Sequence, residues 1–126
     1  LRNYGYMHQI NNTHRSNPQG AKNALEVLDL MPGEKVVVTT GMQTLGEKSN
    51  ELNHIFGSQV AKVANYVILI GEKSTKSLFK GLMESGFDKK KVYIVNRVRD
   101  AYTLLQEIKT KKEIYALFES DEDLKD

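Results

Sequence analysis

Two polar stretches carry the residue types that could do chemistry. The first is Asn11-Asn12-Thr13-His14-Arg15-Ser16-Asn17-Pro18, dense in hydrogen-bonding side chains and running into an amphipathic segment. Asn17 is a good N-cap and Pro18 suits the first helical position, so the run ends at a helix N-terminus. Free backbone N–H groups and the helix dipole at such a point suit a phosphate or carboxylate, and Arg15 could grip an anion with two parallel hydrogen bonds. A polar loop that merely caps its helix has the same composition, and the residues alone leave both readings open. The second stretch is Thr39-Thr40-Gly41-Met42-Gln43-Thr44-Leu45-Gly46. Gly41 and Gly46 permit close backbone approach or positive φ, and the threonines offer hydroxyls. It lacks the spacing of a G-x-G-x-x-G dinucleotide fingerprint, so a structural loop stands beside a binding one.

Other signals lead nowhere chemical. Gly46-Glu47-Lys48-Ser49 and Gly71-Glu72-Lys73-Ser74 echo the end of a phosphate-binding Walker A loop. That loop needs Gly directly before the Lys, and the glutamates standing there would repel phosphate. Shared turn chemistry, from a strand or loop into a helix, explains the recurrence. His8, His14 and His54 have neither metal-ligand spacing nor a Ser/His/Asp arrangement around them. Lys89-Lys90-Lys91 and the Lys109, Lys111, Lys112 run read as solvated turn residues.

Composition sets the frame for these loops. The chain has 126 residues, the size of one domain; 40% are hydrophobic and 27% charged, a globular balance. A formal charge of +2 is too weak to argue for nucleic acid or anionic membrane as the partner. Mean hydropathy is −0.47 and no apolar run approaches a membrane span. The absence of Cys removes disulfides, thiolate zinc sites and cysteine nucleophiles, and a reducing, cytoplasmic setting is expected. The first residue is Leu1, so residues 1–126 are expected to be a single domain cut from a longer protein, with part of any active site upstream.

Short apolar runs alternate with amphipathic stretches. Val36–Val38, Tyr66–Ile70, Val92–Val95 and Ile114–Phe118 read as strands buried on both faces, and a weaker strand is expected over Tyr6–Ile10. Helical stripes comprise Ala21, Ala24, Leu25, Leu28 and Met31, then Leu52, Ile55, Phe56, Val60 and Val63. Leu78, Leu82 and Met83 form a third stripe, and Val98, Ala101, Leu105 and Ile108 a fourth. Pro32-Gly33 stops the first helix and Gly86 the third. Strand–helix alternation predicts an α/β fold: a Rossmann-like, doubly wound, mainly parallel sheet with helices on both faces. The acidic end, Glu119 to Asp126, is expected to be partly disordered. Ligands of such folds gather at the carboxyl ends of the strands, where both polar stretches fall.

Read from Gln9 to Gly46, the chain resembles the C-terminal domain of the Mur ligases, ATP-dependent enzymes that build the peptidoglycan stem peptide. The resemblance is strongest to the branch that adds a D-alanyl-D-alanine dipeptide. That branch carries Asp-Asp-x-Tyr-Asn-x-Asn-Pro, then a helix like Ala-Leu-x-Val-Leu, then Met-Pro-Gly. This chain has Asn11 to Pro18, then Ala24-Leu25-Glu26-Val27-Leu28, then Met31-Pro32-Gly33. The family's Gly-Asp-Met-x-Glu-Leu-Gly-Glu corresponds to Thr40-Gly41-Met42-Gln43-Thr44-Leu45-Gly46-Glu47. Glu51-Leu52, Gly57 and the strand from Val67 to Gly71 extend the likeness over nearly the whole chain.

The resemblance implies a three-domain ligase: one domain for a UDP-muramoyl-peptide precursor, a central P-loop domain for ATP and Mg2+, and this one for the incoming amino acid or dipeptide. It implies that Asn12, Arg15, Ser16 and Asn17 face the nucleotide, and that Gly41, Met42, Leu45, Glu119 and Ser120 line the acceptor side. It assigns no general base and no metal ligand here, and the fragment alone is expected to be inactive. The departures are specific. Asn12 replaces an Asp that contacts the ribose, His14 and Arg15 replace Tyr and Asn, and Gly41 and Thr44 replace two acids. Where the branch ends its last strand in Lys-Gly-Ser-Arg, this chain has Glu119-Ser120-Asp121-Glu122, which would repel an acceptor carboxylate. Either the acceptor differs or activity is altered or lost, in which case the domain serves binding or regulation without catalysis.

Overall fold

A computed structural model describes residues 2–4, 7–13, 17–43, 45–109 and 113–120. Among these described residues six strands and four α-helices follow one another as β1 Arg2–Tyr4, β2 Met7–Thr13, α1 Pro18–Asp29, β3 Glu34–Thr39, α2 Ser49–Val63 and β4 Tyr66–Ile70. Then come α3 Lys76–Glu84, β5 Val92–Val95, α4 Val98–Lys109 and β6 Ile114–Ser120.

The strands form one sheet in the order β1-β2-β6-β3-β4-β5. Five are parallel, and β1 adds an antiparallel edge beside β2 that the alternation does not foretell. The parallel, helix-covered sheet is the expected architecture. Alternation in the β-rich runs sorts the core in two. Val37, Val67, Leu69 and Leu117 face α1, α2 and α3, meeting Leu25, Phe56, Leu78 and Leu82. Val36, Val38, Ile68 and Ala116 face the other way, towards Ala101 and Leu105 of α4. The crossovers β2-α1-β3, β3-α2-β4 and β4-α3-β5 all run one way across the sheet, which places their helices together. Only the return from β5 to β6 runs back, and its helix lies opposite, as right-handed crossovers require.

Four expectations need correction. β2 lies further along than expected, running through Asn11, Asn12 and Thr13, so the polar loop begins later; Tyr6 lies outside the described residues. Glu119 and Ser120 belong to β6 and are buried, because β2 and β3 pair on either side of Glu119 and β2 pairs beside Ser120; residues 121–126 lie outside the described residues. β5 is not buried on both faces: it is an edge strand, and Ile94 is 45% exposed. Ile55 also faces outward at 42% exposure, since the buried side of α2 is set by Asn53, Phe56, Gly57 and Val60.

Gly57 of α2 and Gly81 of α3 mark a close crossing. A Cβ at Gly57 would stand 2.2 Å from the Leu78 carbonyl oxygen, and one at Gly81 would stand 2.1 Å from that of His54. Glycine weakens a helix interior, and here it lets α2 and α3 approach backbone to backbone. That contact holds together the two helices that line a groove described below.

Candidate functional site at the carboxyl edge of the sheet

Pairing register brings the ends of three strands together. Asn12 of β2 stands beside Glu119 of β6, Glu119 stands beside Thr39 of β3, and Thr13 stands beside Ser120. Glu119 is 3% and Asn12 8% exposed. The Asn12 amide donates a short hydrogen bond to the Glu119 carboxylate and a second, at 3.4 Å, to the Gly20 carbonyl of α1. A carboxylate removed from water needs such partners, and the neighbouring strands supply them.

Asn17 acts as the helix cap that its type foretells. Its side-chain oxygen accepts from the N–H groups of Gln19 and Gly20, both at 3.1 Å. The side chain itself is exposed. Two of the four residues expected at the nucleotide therefore hold hydrogen bonds within the fold, and the other two, Arg15 and Ser16, lie outside the described residues, as do His14 and Thr44. Asn12, expected on the nucleotide side, touches Glu119, expected on the acceptor side, so the two groups adjoin.

The loop after β3 is built differently. Gly41 has φ +76°, which an L side chain rarely adopts, and its N–H donates to the Thr39 hydroxyl at 3.0 Å. Asn53, buried on α2, clamps the next residue. Its side-chain oxygen accepts from the Met42 N–H at 2.8 Å, while its amide donates to the Met42 and Ser49 carbonyls, each at 2.8 Å. Met42 and Leu45 both pack against the core on the α1–α3 side. The structure thus places Gly41 and Met42 on a rigid turn at the carboxyl edge, with Leu45 beneath it. Asn53 escaped the sequence reading because a polar residue in a helix is ordinary; only its position among apolar neighbours on the buried stripe hinted at a buried role.

Beside that turn an open groove of about 1080 Å³ runs between α2 and α3. Met42, Phe79 and Met83 contribute apolar surface to it, and Lys73, Lys76 and Lys80 line one side. Ser77 of α3 donates to the Asn50 side chain of α2 at 3.0 Å, a link between the walls. Sequence reasoning set aside Gly71-Glu72-Lys73-Ser74 as a failed phosphate loop. Its turn is held instead by Thr75, whose hydroxyl donates to the Gly71 carbonyl at 2.6 Å, with Gly71 at φ +95°. The spacing of four between Lys76 and Lys80 was the available signal that these two share a helix face.

No protein-family model matches the chain. A stretch of 68 residues, 53% of the chain, is 35% identical to the UDP-N-acetylmuramoyl-tripeptide--D-alanyl-D-alanine ligase of Buchnera aphidicola, covering 15% of that protein. Among solved structures, MurF from Acinetobacter baumannii is similar with a TM-score of 0.76 at 21% identity, over 94% of this chain and 26% of that one. MurF ligase from Thermotoga maritima, solved in complex with ADP, gives 0.69 at 21% identity, over 94% and 26%. The chain spans about a quarter or less of the proteins it matches. Backbone course and sequence point the same way: the chain has the fold of part of these MurF structures, and a 68-residue stretch of it is similar in sequence to a D-alanyl-D-alanine-adding ligase.

Proposed function

We propose that the chain is the acceptor-side domain of an ATP-dependent, amide-forming ligase of peptidoglycan precursor synthesis, of the D-alanyl-D-alanine-adding type or a relative. One observation carries this reading: a stretch similar in sequence to such a ligase lies within a backbone that follows MurF over 94% of its length. In the reaction, ATP phosphorylates a carboxylate of the UDP-muramoyl-peptide precursor to an acyl phosphate. The incoming amine attacks the acyl carbon, the amide bond forms, and phosphate leaves.

The domain's contribution is positioning. A polar edge on a rigid sheet meets the reacting groups, and holding an amine in line with an activated carbonyl is worth several orders of magnitude in rate. Nucleotide chemistry belongs to further domains of the longer protein that this reading requires. The resemblance assigns Mg2+, like ATP, mainly to the central domain of such a ligase. Arg15 and Ser16 remain the loop residues proposed to meet the nucleotide, with Asn12 and Asn17 shaping the loop that presents them. Gly41 and Met42 give the acceptor side its rigid turn, with Leu45 packed below and Glu119 and Ser120 at its rim. Among the described residues no helix is long and apolar enough to cross a membrane. A UDP-linked precursor agrees with work in the cytoplasm.

The test is ATP-dependent phosphate release by the full-length protein, given UDP-muramoyl-tripeptide and a panel of amino acids and dipeptides. Release that requires both precursor and D-alanyl-D-alanine, or another acceptor, is the expected result. No release with any acceptor would sink the ligase reading and leave a non-catalytic binding domain.

A further inference from the structure

The acidic end of β6 raises a question of charge. An amino-acid or dipeptide acceptor carries a carboxylate, yet Glu119 stands buried at the rim where the resembling branch has Lys-Gly-Ser-Arg. Among the described cations on this side of the sheet, Lys48 follows β3 and Arg97 follows β5, while Lys73, Lys76 and Lys80 line the groove between α2 and α3.

Lys73 sits in the turn after β4, Lys76 opens α3 and Lys80 follows one turn later. Residues four apart share a helix face, so Lys76 and Lys80 lie on one face of α3, and Lys73 lines the same groove from the preceding turn. Among the described residues Lys73 and Lys76 have no carboxylate partner, and Lys80 meets Glu84 at 4.0 Å. Glu51 is the one carboxylate among the groove residues, against three lysines. Asn50, His54 and Ser77 add polar groups, and Met42, Phe79 and Met83 offer apolar area for a small side chain. Thioether and aromatic surfaces adapt readily to small apolar groups.

We infer that this groove receives the free carboxylate of a small amino acid or short peptide, with Lys76 and Lys73 as the cations that hold it. The inference rests on the acceptor-side reading for the ligand's class. Bound this way, the ligand lies beside the Asn53-clamped turn at Met42, which places its amine towards the carboxyl edge and its carboxylate away from Glu119. The groove takes over the charge role that the end of β6 has lost.

The experiment is an NMR titration of the 15N-labelled chain with D-alanyl-D-alanine, its C-terminal amide and inorganic phosphate. The dipeptide is expected to perturb the amides of Lys76, Ser77 and Met42 saturably, and the amide-capped form to bind about tenfold more weakly. Lys76→Gln and Lys73→Gln should each weaken the dipeptide severalfold, with thermal unfolding unchanged, while Lys89→Gln on the far turn changes nothing. Equal binding of the capped dipeptide overturns the inference, as does perturbation confined to Asn12 and Glu119. Phosphate binding in the groove without dipeptide binding overturns it too. The ligase reading is tested separately by phosphate release: release without groove binding leaves the ligase standing and removes this site. Carboxylate-specific groove binding without release does the reverse.

Discussion

The carboxyl edge of the sheet holds two polar regions built on opposite plans. Where β2, β6 and β3 end, polar side chains are buried and turned towards one another: Asn12 to Glu119 and to the Gly20 carbonyl. In the groove between α2 and α3, the walls are locked by backbone contact but the lysines along them reach solvent, and among the described residues Lys73 and Lys76 have no carboxylate partner. A buried polar group must satisfy its hydrogen bonds inside the protein, so the first region is chiefly a device for ending three strands together. Exposed cations on a rigid frame remain available to a ligand. Polarity alone therefore does not mark a binding site; the direction in which the donors are used does.

The groove's frame breaks most completely at its crossing. Gly81→Leu drives a side chain into the His54 carbonyl, where even a Cβ would stand at 2.1 Å, and α2 and α3 must separate. Forced overpacking of a close contact costs about 1–3 kcal/mol and sometimes more. Here backbone leaves no soft atom to yield, so the upper end or beyond is expected, read as a lowered midpoint in urea unfolding. A midpoint like that of the wild type would mean that the crossing is looser than described.

The strand-end cluster is tested by charge. Asn12→Asp supplies the residue found in the resembling branch but sets a second carboxylate against Glu119 in a buried position and removes the donated hydrogen bond. Leaving a buried group unsatisfied costs about 1–3 kcal/mol, and more when it is charged. The variant should lose at least that much stability, whereas Asn12→Asp combined with Glu119→Gln should recover most of it, since the amide can again donate. If the single variant unfolds like the wild type, the two side chains do not depend on each other and the contrast between the regions weakens.

These residues also show what a linear reading can and cannot reach. The parallel sheet, its helices and the bounds of β4 and β5 follow from apolar runs and caps, because those signals are local. The location of both polar stretches at the carboxyl edge follows as well. What stayed hidden is long-range. Asn12 and Glu119 are 107 positions apart and meet only because β6 inserts between β2 and β3, an order that the crossovers do not dictate. The burial of Glu119 has the same origin: a sequence ending in acids looks solvated until two strands enclose its first residues. Lys73 was judged by the phosphate-loop motif it fails, and its place in a groove depends on how closely α2 and α3 cross.

Asn53 links the two regions, since it holds the turn that separates them. Asn53→Ala removes one acceptor and two donations at 2.8 Å, leaving the buried Met42 N–H unpaired and its carbonyl with the Ser49 hydroxyl at 3.4 Å. A loss of about 2 kcal/mol is expected, at the middle of the range for buried groups left unpaired. Hydrogen exchange should accelerate at Met42 far more than in β4, which has its own partners. Uniform acceleration across the sheet would indicate that the residue serves global stability and not the turn.

The smallest effect belongs to Asn17. Its oxygen caps α1 by accepting from Gln19 and Gly20, and the side chain is otherwise exposed, so Asn17→Ala should cost about 1 kcal/mol and Asn17→Ser only a few tenths. That ordering sharpens the comparison because it separates capping from ligand contact at one residue. A residue used for the helix alone changes the unfolding midpoint and leaves nucleotide affinity of the full-length protein intact once both variants are folded. One that also meets the nucleotide lowers affinity in the alanine variant at temperatures well below its midpoint. Measuring ATP affinity alongside unfolding therefore decides whether the loop after β2 follows the inward plan of the strand ends or the outward plan of the groove; unchanged affinity in both variants leaves presentation of the nucleotide to Arg15 and Ser16.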